Sequence, residues 1–165
     1  MFTLPDPAHA ALVGIGATAV MDLWLLLQQR LGLPTGSFAM VGRWVGHLAS
    51  GRVAHAAIGK APAVAHEGAL GWAVHYAVGI VFAALLLAIE GRTWFAQPAF
   101  VPALLFGIAT VVFPLFVMQP AMGAGLASSK TATPFRNCLR SVANHAVFGA
   151  GLYLAAALIA AIHHP

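Results

Sequence analysis

The chain has 165 residues, of which 61% are hydrophobic and 7% charged, with a formal net charge of +4. Soluble domains carry roughly 25% charged residues, so a soluble fold would have too little polar surface to cover this much apolar side chain. The basic balance does not indicate a nucleic-acid partner, because the basic residues are sparse and sort with topology rather than forming a patch.

Length allows one domain of about four spanning helices plus loops. Seventeen glycines and ten prolines suit membrane helices, which pack through small residues. Cys138 is the only cysteine, which excludes an intrachain disulfide and a cysteine metal cluster. The first residues lack the positive n-region of a signal peptide, so the first helix is expected to be retained.

The first helix is expected over residues 10–29, closed by Arg30, Gly32 and Pro34. Gly14, Thr18 and Asp22 lie four apart on one small-residue face. A carboxylate inside a spanning run is costly and should face protein or water. Residues 37–58 are expected to form one or two interfacial amphipathic helices, with Ser37 as an N-cap and His55 on a second short piece. The second span is expected over residues 67–89. Glu67 sits in its first turn, where an acid suits the helix dipole, and Gly71, His75 and Gly79 share a face. Trp94 is read as an interface anchor. The third span covers residues 100–118, with a kink at Pro114. The fourth covers residues 139–162, with Ser141, His145, Gly149 and Tyr153 on its polar and small face. The fold class is therefore an all-α integral membrane protein, a single domain over residues 1–165. Its four transmembrane helices form an antiparallel bundle, with the interfacial segment between the first and second.

Arg30, Arg43, Arg52, Lys60, Lys130, Arg136 and Arg140 all fall on the first and third loops or their helix ends, leaving Arg92 alone on the other side. The positive-inside rule places those loops in the cytoplasm and both termini outside. Asp22 then lies about 12 Å below the cytoplasmic boundary, His75 at a similar depth and His145 about 8 Å deep.

Two imidazoles and a carboxylate are a common ligand set for zinc or iron, which makes Asp22, His75 and His145 the candidate metal ligands. Arg43, His47, His55, Glu67 and Met118 are the candidate supporting shell on the cytoplasmic side. The same residues admit other uses. Paired histidines can ligate haem, a buried carboxylate beside a histidine can carry protons, and Asp22 can simply bond His75, Thr18 or Trp24 as glue between helices. Whether the protein is an enzyme is left open. The cofactor options are a divalent metal or haem. The expected partners are the lipid bilayer and a second copy or a larger membrane complex, with no nucleic acid.

Several motifs fail on inspection. His66-Glu67 lacks the second histidine of a zinc-protease helix, and the glycine-rich stretch before Lys130 lacks the glycine and the strand of a phosphate loop. Met21, Met40, Met118 and Met122 read as core side chains rather than copper ligands.

Five stretches carry a resemblance. They are residues 14–24 (GIGATAVMDLW), 41–47 (VGRWVGH), 71–80 (GWAVHYAVGI), 118–123 (MQPAMG) and 145–153 (HAVFGAGLY). Together they resemble a bacterial four-helix inner-membrane family filed only as a domain of unknown function. The resemblance implies a membrane location and four spans, and supplies no catalytic residues. The functional alternatives on these grounds are a metal-binding or haem-binding membrane protein, a small proton-coupled transporter, and an accessory subunit of a larger complex.

Overall fold

A computed structural model describes residues 7–163. In chain order these form α1 (Pro7–Arg30), α2 (Phe38–Leu48), a 3-10 turn (Ile58–Lys60), α3 (Glu67–Ala96), α4 (Phe100–Ala109), a π-helical turn (Phe113–Met118), α5 (Gln119–Ala121), a second 3-10 turn (Leu126–Ser128) and α6 (Pro134–His163). No strand occurs among the described residues. Four helical segments, Pro7–Arg30, Glu67–Gly91, Phe100–Ala121 and Pro134–Ile162, are long and apolar enough to cross a membrane.

Local chemistry explains the boundaries. Beyond Arg30, Gly32 adopts φ 72°, and the N–H groups of Gly32 and Leu33 return to the carbonyls of Gln29 and Gln28. This is a Schellman end with glycine in the left-handed position. Ser37 precedes α2 with extended backbone, but its side chain makes no capping bond, so its expected capping role is not realised. Residues 53–57 are not helical. Their backbone turns outward instead, as His55 N–H donates to Ala121 O and Ile58 N–H to Met122 O. A second short helix in this stretch is thereby ruled out. At Gly91, φ 79° and ψ −176° break α3, a conformation that favours glycine. The expected kink at Pro114 takes the form of a π-helical turn, which absorbs the carbonyl that proline cannot serve.

The chain divides into two compact units. The first contains α1, Tyr76–Thr110 and α6 from Ala143 onward. Its core gathers Val13 and Ala17 of α1, Phe82, Ala83, Leu86 and Leu87 of α3, Ala103 of α4, and Phe148, Leu152 and Ala156 of α6. Trp94 joins this core at 6% exposure, its indole N–H donating to Ala99 O at 3.1 Å. That corrects its reading as an interface anchor. The helices meet through small residues. A Cβ on Gly14 would fall 2.5 Å from Ile80 Cα, and one on Gly151 2.9 Å from Ala17 Cα. Gly107 and Gly149 touch backbone to backbone. Large apolar side chains point outward, among them Leu12, Ile15, Leu23 and Leu26 on α1 and Val78, Val81, Leu85 and Ile89 on α3. They recur at helical spacing, as lipid-facing stripes do.

The second unit contains Thr35–His75 and Val111–Val142. Here α2 lies directly on the start of α3, with Gly42 against Glu67 O and Gly71 against Phe38 O.

Candidate functional site

In the first unit the polar side chains pair across helices. Asp22, half-buried on α1, accepts a hydrogen bond at Oδ2 from the Tyr76 hydroxyl on α3 at 2.8 Å. Further along α1, the Trp24 indole N–H and the Gln28 amide both donate to Asn144 Oδ1 on α6, at 2.9 and 2.7 Å. Gln28 is buried. The next residue of α6, His145, places Nδ1 2.7 Å from Thr110 Oγ1. The single hydroxyl proton of Thr110 goes to Gly107 O at 2.6 Å. With that proton donated to Gly107 O, the oxygen accepts from His145 Nδ1–H. The Gly107–Gly149 approach holds α4 and α6 close enough for that bond. In hydrocarbon an unsatisfied polar group costs several kcal/mol, which gives each pairing its structural weight. Asn144→Ala is expected to strand the Trp24 and Gln28 donors and lower thermal stability by about 1–3 kcal/mol, measured by unfolding in detergent.

In the second unit, Arg43 and Glu67 form a two-armed ion pair, Nε to Oε2 at 2.8 Å and Nη2 to Oε1 at 2.7 Å. Arg43 Nη1 also donates to Ala61 O at 3.1 Å. The Glu67 hydrogen bond, with the carboxylate's charge behind it, raises the Arg43 guanidinium above its already high pKa. Glu67 Oε2 also accepts from Val64 N–H, which closes the N-terminus of α3. The His75 ring packs on Phe38 at 4.2 Å between centroids, with Trp72 edge-on at 5.9 Å. His47 Nδ1 and His55 Nε2 lie 2.8 Å apart. Met118 ends the π-helical turn, half-buried.

Asp22 meets Tyr76, His145 meets Thr110, and His75 meets an aromatic pair. Among the described residues, no group of three or more His, Cys, Asp or Glu is disposed to hold a metal ion. Of the partners considered for Asp22, the Thr18 hydroxyl donates within its own helix to Gly14 O, and the Trp24 indole goes to Asn144. Arg43 with Glu67, and His47 with His55, do come together as pairs. Tyr76, Asn144 and Gln28 were missed. Tyr76 and Asn144 stand directly beside the candidate histidines His75 and His145, and Gln28 lies with Gln29 at the expected α1 terminus. A search for uncharged polar residues along the cytoplasmic half of the spans, from the depth of Asp22 to the helix ends, would have found them.

A family model described as a protein of unknown function (DUF2938) matches residues 11–159. The chain belongs to the DUF2938 family. The matched region contains every DUF2938 residue placed above in the polar pairs of both units. No curated protein and no solved structure matches the chain.

Proposed function

We propose that this DUF2938 protein is a small proton-coupled transporter of the bacterial inner membrane, with Asp22 as its proton-binding group and Tyr76 as the partner that orients it. The observation that carries this reading is the 2.8 Å bond from the Tyr76 hydroxyl to a carboxylate inside an apolar span. Ionisable groups at such positions mark ion and proton pathways. When Asp22 is ionised the phenol donates to it. When Asp22 is protonated on its other oxygen, Oδ2 still accepts from the phenol, and the bond loses its charge assistance. A cargo that competes for the carboxylate displaces that proton.

In this proposal the spans form an antiparallel bundle. Its support is the order of contacts between α1 and α6, where Gly16 meets Ala155, Ala17 meets Gly151, and Trp24 and Gln28 meet Asn144. The basic loops face the cytoplasm and the termini the outside. Four helices make a thin wall, so the working unit is an oligomer.

Orientation is tested with cysteines at two loop positions in a Cys138→Ser background. Gln97→Cys is expected to react with an impermeant thiol reagent in intact spheroplasts, and Gly59→Cys only after permeabilisation. The coupling role is tested in proteoliposomes carrying a pH gradient, read with a pH-sensitive dye while a panel of cations is added. A cation that dissipates the gradient with the native protein should fail with Asp22→Asn. Native flux through Asp22→Asn would defeat the coupling role.

A further inference from the structure

A second titratable feature lies in the unit formed by Thr35–His75 and Val111–Val142. His47, on the last turn of α2, is 7% exposed. Its ring stacks on that of His55 with centroids 4.9 Å apart and 23° between planes, and His47 Nδ1 lies 2.8 Å from His55 Nε2. The other nitrogen, His55 Nδ1, is buried and has no hydrogen-bond partner among the described residues.

Proton counting follows from this geometry. The two facing nitrogens can hold only one proton between them. In the neutral pair that proton sits on His55 Nε2, His47 keeps its own on Nε2, and His55 Nδ1 is a bare lone pair. The alternative neutral form would place an N–H on His55 Nδ1, buried and without an acceptor. A singly protonated pair has three protons for four nitrogens, with one shared. The other two must then occupy His47 Nε2 and His55 Nδ1. Every protonated form of the closed contact therefore carries a buried N–H that has no acceptor, and doubly charged rings also repel.

The surrounding charges do not offset this. Glu67 is near enough to interact with His47, but both of its oxygens are engaged by Arg43, one turn earlier on α2. Arg52 and Lys60, which flank His55 in sequence, are exposed. Residues 119–125, whose backbone packs on His55, bring no charge. We propose that the His47–His55 contact is a proton-released latch, closed while both imidazoles are neutral and opened by acidification.

What the latch holds is the extended stretch around His55. His55 N–H donates to Ala121 O at 2.8 Å and Ile58 N–H to Met122 O at 3.0 Å. The Trp44 indole N–H secures Val53 O at 2.8 Å. Gly123 packs against His55 O and Ala56 O with no room for a Cβ. Opening the latch frees residues 53–58 from the end of α5. The latch does not depend on Asp22.

Hydrogen exchange on the full-length protein in nanodiscs tests this at about pH 8 and about pH 5, either side of the ordinary imidazole range. With rates corrected for intrinsic exchange, protection of the His55 and Ile58 amides is expected to fall about tenfold or more on acidification. His55→Gln and His47→Gln, neutral at both pH values, should remove that dependence. Should either variant fail to fold, the other and the native protein still decide. Equal native protection at both pH values would overturn the latch, as would pH dependence that survives in the glutamine variants.

Discussion

Replacing Gly42 by alanine is expected to detach α2 from the start of α3 and lower stability by about 3 kcal/mol. A Cβ at this position would meet Glu67 O directly and lie 2.6 Å from Gly71 N. Both are backbone atoms, so no side chain can rotate to relieve the overlap. The reverse face is equally tight, with Gly71 against Phe38 O. Displacing α2 also strains the neighbouring Arg43–Glu67 pair, which links the same two elements at 2.7–2.8 Å. Gly59 is the matched control, because a Cβ there meets nothing within 4 Å. Thermal unfolding in one detergent should show a large drop for Gly42→Ala and little change for Gly59→Ala. Equal midpoints would contradict the close approach.

Asp22→Asn is expected to abolish proton exchange while leaving the fold intact. The amide oxygen can still accept from Tyr76, so the α1–α3 contact survives. What disappears is the titrating group. Tyr76→Phe separates the two roles. It keeps the carboxylate but removes its hydrogen-bond donor, so exchange should persist at a rate about tenfold lower. Loss of exchange in both variants with unchanged unfolding temperatures would still place the function on the pair. Loss accompanied by unfolding would reduce Asp22 to a helix-packing residue.

The helix faces were legible because small residues at four-residue spacing leave a mark that survives without knowledge of the partner. Gly14 and Thr18 were read as a packing face, and Gly79, placed on the matching face of its own helix, meets them. His145 and Gly149 were read on one face of the fourth span, and that face meets Thr110 and Gly107. Charged and imidazole side chains are conspicuous in a spanning run because of their cost in a bilayer. Tyr76 and Asn144 are not, because a phenol and an amide are cheaper to bury and leave a weaker signal. Residues 53–58 were misread for a different reason. Their apolar content suits a short helix, but their conformation is set by the carbonyls of Ala121 and Met122, more than sixty positions away in sequence. Trp94 was misread because an indole near a helix end serves equally well at a lipid interface or, with Ala99 O as acceptor, inside the core.

The proton site itself is tested most directly by pH-difference infrared spectroscopy of the protein in lipid. A protonated carboxyl C=O band should appear on acidification, vanish in Asp22→Asn, and shift in Tyr76→Phe as its hydrogen bond is lost. A band that persists unchanged in Asp22→Asn, or a native protein that shows none across the accessible pH range, would contradict the assignment of Asp22 as the proton-binding group.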